Sequence, residues 1–215
     1  VDLGALTGSL SEDANWVFIV NQDGTSAILN TLRTQDINGF TKWINGDTNT
    51  IYPLKTVSVS VVNNDLFLVN KRTTASNTTY TIEKWDFNYL MDSSVRLESS
   101  TSISGNNLGL ASNHLDGETV SVVARGTTLD NRVVQAGGII VLTDEEKSFI
   151  LEQDPSGGVI DVEVGYNFTP KIVGMPLNTA GPAGQNQMRE KKITRMNLRV
   201  YKSSGVYIDD NPVPI

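Results

Sequence analysis

The sequence predicts an all-β protein: antiparallel hairpins forming a partial propeller-like sheet, then a second β-sandwich or barrel-like domain, with at most one short helix. Three observations predict it. Apolar residues recur with a period of two, as in Val57, Val59 and Val61 and again in Ile160, Val162 and Val164, the spacing of a strand with one face in a core. Turn dipeptides such as Asp23-Gly24 and Gly137-Gly138 punctuate these runs, where glycine takes a positive φ without strain. Heptads and strict internal repeats are absent.

Along the chain, residues 1–15 are small and polar and predict a loop. Trp16-Val17-Phe18-Ile19-Val20 predicts a strand buried on both faces, turned by Asn21–Gly24 into a second strand from Thr25 to Leu32. Asn38-Gly39 and Asn45-Gly46 flank Phe40 and Trp43, which predicts a third short strand or turn with an aromatic anchor. The Val57–Val61 alternation is turned by Asn63-Asn64-Asp65 into Leu66–Lys71, and a polar link, Thr73–Thr78, leads to Tyr80–Trp85. Consecutive hairpins of this spacing suit a propeller blade, a barrel or a sandwich.

After Trp85 the chain turns rich in Ser and Asn up to Leu110, as a domain junction would. Asn113–Leu142 predicts three short strands joined by glycine turns, with Ile139–Leu142 buried on both faces. Thr143 with Glu146 has the form of a capping box, so a short helix could begin there, although Phe149-Ile150-Leu151 would serve a strand as well. Ile160–Val164 predicts a strand ended by Gly165, Gly181–Gly184 an open loop, Lys192–Tyr201 a last strand, and Asp209–Ile215 a linker or cut end. The domain reading is 1–88 propeller-like, 89–112 junction, 113–208 a second platform-like β domain, and 209–215 tail.

Composition narrows the function classes. The 215 residues carry a net charge of −7, which argues against a general nucleic-acid binder, because phosphate contacts need positive potential. Cysteine is absent, so disulfides and thiolate metal sites are excluded, and a reducing compartment fits. No apolar run approaches a membrane span. No signal-peptide pattern opens the chain, and Val1 in place of Met points to processing or a fragment.

Chemical constellations are weak. His114 is the single histidine, so a histidine pair for metal is impossible. A Ser112/His114/Asp116 triad is a poor prospect, because close neighbours along one turn are not expected to converge as separate elements do. Asp144-Glu145-Glu146 suits the first turn of a helix, and Asp209-Asp210 a solvated tail. Gly105–Gly109 lacks the lysine of a phosphate loop, and the calcium-loop pattern starting at Asp47 fails at Ile51. Asn77-Thr78-Thr79 and Asn167-Phe168-Thr169 match the glycosylation tripeptide without a secretion signal. The one uneven feature is a basic group, Arg189, Lys191, Lys192, Arg195, Arg199 and Lys202, in an otherwise acidic chain. As a strand, Arg195, Asn197 and Arg199 would form a cationic stripe opposite Met196, Leu198 and Val200. That stripe suits a solvated face, an acidic neighbouring subunit or, less well, a DNA backbone.

Several of these residues, taken in order, resemble a known family. Trp16–Val20 with Asp23-Gly24-Thr25, then Phe40 and Trp43, Leu66–Lys71 with Arg72, and Ile82-Glu83-Lys84-Trp85 resemble the tail nozzle proteins of short-tailed bacteriophages, also called tail tubular protein B or tail stabilisation protein. His114–Val120 resembles that family's H-L-x-G-x-x-V segment, and Val162–Tyr166 and the region 195–201 fall where it has similar pieces. The resemblance implies a portion of a longer virion structural protein: a six-membered ring beneath the portal and adaptor proteins, conducting the genome during DNA ejection without sequence-specific binding. It implies no enzyme activity and no cofactor, with the protein in the phage tail and, during assembly, in the host cytoplasm; the residues themselves predict no metal site and no membrane span. Two other classes compete with it. A carbohydrate- or receptor-binding β module would use Trp16, Trp43 and Trp85 as stacking platforms. A hydrolase on a β scaffold would need convergent carboxylates that the sequence does not offer.

Overall fold

The computed structural model describes residues 1–8, 15–32, 37–44, 54–73, 77–86, 88–152, 158–167, 171–173, 180–181, 184–185, 196–199, 206–209 and 211–213. Among the described residues the protein is mostly β, with antiparallel sheets, one α-helix and no closed barrel. Val1–Phe168 form one compact unit and Thr169–Ile215 a second.

In the first unit, β1 (Asp2–Leu6), β2 (Asn15–Val20), β3 (Ser26–Leu32) and β4 (Ile37–Trp43) make a meander in that order. The 1–15 loop is thus partly a strand, since Leu3 pairs with Ile19 and Gly4 with Phe18. Local composition hides it: tertiary pairing, not propensity, makes the strand. On β2 only Phe18 and Val20 are buried. One face is buried rather than two: among the described residues this sheet packs on a core through Phe18, Val20 and Ile28. Gly24 closes the β2–β3 turn at φ +89°, with Asp23 accepting from the Thr25 N–H and hydroxyl. Asn38 and Gly39 lie inside β4 rather than beside it, and Phe40 is 71% exposed, so it does not anchor anything.

A three-stranded sheet follows, β5 (Lys55–Val62), β6 (Asp65–Thr73) and β7 (Thr78–Lys84). Asn63 and Asn64 turn β5 into β6 with both φ angles positive, the backbone of a primed hairpin turn. A register shift between Thr56 and Ser58 breaks the valine alternation, leaving Val59 buried and Val57 exposed. The two sheets share one core of Leu6, Phe18, Val20, Ile28, Val59, Leu66 and Leu68, flanked by Trp16, Trp43 and Trp85. They are tied at β1 and β5, where the Asp2 carboxylate accepts from the Ser58 hydroxyl and, at 3.0 Å, the Val59 N–H. Those bonds hold the Asp2 carboxyl below its usual range.

The stretch expected as a junction instead supplies strands: β8 (Asp92–Ser99), β9 (Ile103–Ser104) and β10 (Asn107–Gly109). Beyond it come β11 (Thr119–Ala124), β12 (Thr127–Thr128), β13 (Arg132–Val133), β14 (Ile139–Val141), α1 (Asp144–Leu151) and β15 (Val159–Tyr166). One sheet runs β12-β11-β15-β8 with β13 also on β11, and another runs β14-β10-β9. Their core centres on Leu97, Leu108, Leu115, Val122, Ile140, Ile150, Val162 and Val164. Val141 is 45% exposed between buried Ile140 and Leu142, so that strand is buried on one face, not both.

The helix reading of Thr143 holds. Its hydroxyl accepts from the Glu146 N–H at 3.2 Å, and Glu146 Oε2 accepts from the Thr143 N–H at 2.8 Å. Gly165 does not end its strand. A Cβ there would meet the Asp92 carbonyl and Ser94 Cβ, both at 2.8 Å, so glycine lets β8 come close.

In the second unit, β16 (Ala180–Gly181) pairs with β17 (Gly184–Gln185), and β18 (Val206–Ile208) with β19 (Asn211–Val213). The open loop and the tail are therefore two small hairpins, the second with Pro212 opposite Tyr207. Residues 196–199 carry no strand, and all four are exposed.

Two measurements probe this construction. Burial opposes ionisation of Glu146, but the Thr143 N–H and the Arg132 guanidinium outweigh it and hold the carboxyl below its ordinary range. A depressed carboxyl contributes stability above the unfolded-state value, lost as pH falls through the folded one. Glu146→Gln is therefore expected to cost about 1 kcal/mol at neutral pH, the usual worth of a capping interaction. The gap to wild type should shrink in thermal melts below pH 4; a gap that stays constant into acid assigns the effect elsewhere. Gly165→Ala is expected to lower stability by about 1–3 kcal/mol through overpacking, read from the urea midpoint; an unchanged midpoint contradicts the close approach.

Candidate functional site

Inward side chains on β6 alternate Leu66, Leu68, Asn70, Arg72, so strand parity drives a guanidinium into the interior. Arg72 is 9% exposed. An unmatched charge there costs several kcal/mol, and two partners offset it: the Glu118 carboxylate in an ion pair, and the His114 carbonyl, which accepts from Arg72 Nη1 at 2.7 Å. Its Nε has no hydrogen-bond partner among the described residues.

Both partners come from the turn over 112–118. Fully buried Leu115 anchors it, Gly117 turns it at φ +78°, and the Gly117 N–H reaches the Val134 carbonyl at 2.8 Å. The Asp116 carboxylate accepts from the Gly137 and Gly138 N–H groups at 2.8 and 2.7 Å. It pins the β13–β14 turn and makes no hydrogen bond with His114.

Ser112 and His114 do meet. Ser112 Oγ lies 2.8 Å from His114 Nδ1, and His114 Nε2 lies 2.9 Å from the Ser93 carbonyl. The expectation that these neighbours do not converge is corrected for that pair, which a local turn brings together, the His114 N–H also lying 3.4 Å from Ser112 Oγ; Asp116 is turned to Gly137 and Gly138 instead. Ser93 has a left-handed backbone, φ +50°, uncommon for a residue with a side chain. Its hydroxyl donates to Glu83 Oε2 at 2.8 Å, and Glu83 Oε1 accepts from the Thr81 hydroxyl at 2.7 Å. A continuous polar chain thus runs Thr81–Glu83–Ser93–His114–Ser112, beside the Arg72–Glu118 pair.

Of the basic group singled out from sequence, one member lies among the described residues. Arg199 is exposed at a position without strand structure, and Arg189, Lys191, Lys192, Arg195 and Lys202 lie outside the described residues, as do the calcium-like residues 47–51. Asp144, Glu145 and Glu146 form the first turn of α1, as expected. No group of three or more His, Asp or Glu able to hold a metal occurs among the described residues, and no described helix is long and apolar enough to cross a membrane. Trp43 ends β4 rather than standing in a turn, and packs against Trp85 with centroids 4.5 Å apart, while Phe18 meets Trp85 edge-on at 4.9 Å.

Arg72 was readable from strand parity: it falls in phase with Leu66 and Leu68. Ser93 and Glu83 were not, since their roles arise from a positive φ and a long-range contact.

No protein-family model, no curated protein and no solved structure matches the chain. The likeness to tail nozzle proteins rests on the residues quoted for it.

Removing one member of a buried ion pair leaves the other uncompensated. Arg72→Met is expected to destabilise by about 3–5 kcal/mol, with Glu118→Gln in the same chain recovering part of the loss. Denaturant titrations of the single and double variants measure this, and a loss below about 1 kcal/mol for Arg72→Met rejects the pair as a structural tie.

Proposed function

We propose that this chain is part of the tail nozzle of a short-tailed bacteriophage, a structural component that works through subunit interfaces around a DNA-ejection conduit. The single observation supporting an assembly role is the character of two strands that end their sheets. β4 and β7 stand last in β1-β2-β3-β4 and β5-β6-β7, and they expose Phe40 at 71%, Tyr80 at 60% and Ile82 at 77%. A long edge strand with apolar side chains in water is a template for association. A repeated head-to-tail contact of this kind closes into a ring when the rotation allows.

The sequence resemblance supplies the finer reading: a hexameric ring in a longer protein, portal and adaptor neighbours, a place in the virion, and genome passing without base recognition. The net charge of −7 suits a wall that does not grip DNA. Neither an enzyme activity nor a cofactor belongs to this reading. The carbohydrate-binding alternative is weaker, because Trp16, Trp43 and Trp85 all pack against the first core and give up the open faces that sugar stacking needs.

Light scattering of the full-length protein containing this chain, at low salt, is expected to show concentration-dependent self-association. Phe40→Lys with Ile82→Lys should weaken it at least tenfold, about 1.4 kcal/mol, without changing the melting temperature of the isolated species. A strictly monomeric full-length protein, or association indifferent to both substitutions, rejects the interface. Binding on a glycan array that is lost in Trp43→Ala would favour the alternative.

A further inference from the structure

We propose that Ser112 is an activated nucleophile, with His114 as its general base, and that it accepts an acyl group from small activated esters. The Ser93 carbonyl can only accept a hydrogen bond, so at 2.9 Å it fixes the His114 proton on Nε2. In the neutral ring that leaves the lone pair on Nδ1, and the Ser112 hydroxyl 2.8 Å away must donate into it. Nucleophile, base and orienting acceptor thus follow one another in a line, the arrangement by which serine is activated, with a backbone carbonyl in the place usually held by a carboxylate.

The arrangement is held on every side. Arg72 Nη1 binds the His114 carbonyl, so the imidazole is carried by a backbone fastened to a buried ion pair. Ser93 keeps its left-handed conformation with its hydroxyl on Glu83, and strained backbone of this kind persists only where its surroundings over-determine it. Behind Ser112, a Cβ on Gly138 would meet the Ser112 carbonyl at 2.7 Å, and Asp116 clamps Gly138 there. Asp116 is a positioning residue, not a member of the proton path. Ser112 itself is exposed, so a small donor reaches Oγ from solvent.

The step balances without a co-reactant. Ser112 Oγ attacks the ester carbonyl carbon while its proton passes to His114 Nδ1. The tetrahedral adduct then expels the leaving alcohol, which takes that proton from Nδ1. An Oγ–acyl bond has formed, a carbon–oxygen bond to the leaving group has broken, and His114 is neutral again. The product is an acyl-serine on a structural protein, a covalent modification site.

The test uses p-nitrophenyl acetate at pH 8 with the intact chain, following nitrophenolate release and locating acetyl groups by peptide mass spectrometry. Ser112 is expected to acetylate first. His114→Gln should slow that site by about 10²–10⁴-fold, the usual worth of a positioned general base, while lysine acetylation stays the same. Ser112→Ala should abolish only that label. Because His114 is the single histidine, the nitrogen NMR spectrum of the unaltered protein reports its tautomer without any substitution, and the Nε2–H form is expected. Ser112 labelling no faster than other exposed serines, an equal rate in a folded His114→Gln protein, or an Nδ1–H tautomer would each overturn the proposal.

Discussion

A guanidinium inside a β-protein must be matched where it lies, and the matching of Arg72 fixes much of the first unit. The residue belongs to β6, in the sheet over the first core, while both groups that satisfy it belong to the turn leading into β11. The pair therefore ties two hydrophobic cores that share no side chain. It is a directional tie: apolar packing tolerates sliding, whereas a guanidinium between a carboxylate and a carbonyl accepts few geometries. The placement of His114, and through it of Ser112 and Ser93, descends from that constraint.

The two cores are built to different standards of cover. In the second, β15 lies between β11 and β8 and is buried along nearly its whole length. In the first, the sheets meet on one side only and keep apolar residues on their outer faces. Charge does not compensate there, since Lys71 sits over the Tyr80 ring at 6.0 Å and Lys84 is paired with Asp65. The second core is covered on its main strand, and the first leaves Phe40, Tyr80 and Ile82 exposed on its sheets.

What could be read from the sequence was local. The hairpins β2–β3 and β5–β6 were visible because apolar alternation and the Asp-Gly and Asn-Asn turns lie within a few residues of each other. The capping box at Thr143 was visible for the same reason. β1 and β8 were not, because their neighbours in the sequence are polar and small, and only pairing with distant strands makes them extended. The β18–β19 hairpin was masked by two prolines, one of which sits where a ladder tolerates it. At the site, the phase of Leu66 and Leu68, carried on to residue 72, was the one local signal that could have placed Arg72 inside. Nothing local announced Glu118 as its partner or the Ser93 carbonyl as the acceptor for His114, and both depend on segments brought together by the fold.

Glu163 carries a consequence for how this protein comes into being. From the middle of β15 its carboxylate gathers the N–H groups of Leu90 and Met91, at 2.7 and 3.0 Å, across 73 and 72 residues of chain. β8 and β15 are the neighbours so joined, and β9 to β14 and α1 all lie within the loop they close. Closing so long a loop costs entropy before the contacts it enables are gained, and topologies dominated by such pairings fold slowly. On a ribosome, β8 emerges long before its partner and waits with a free flank. The β5–β6 hairpin lies wholly upstream and needs nothing from β15, whereas the second core cannot close until β15 brings Ile160, Val162 and Val164.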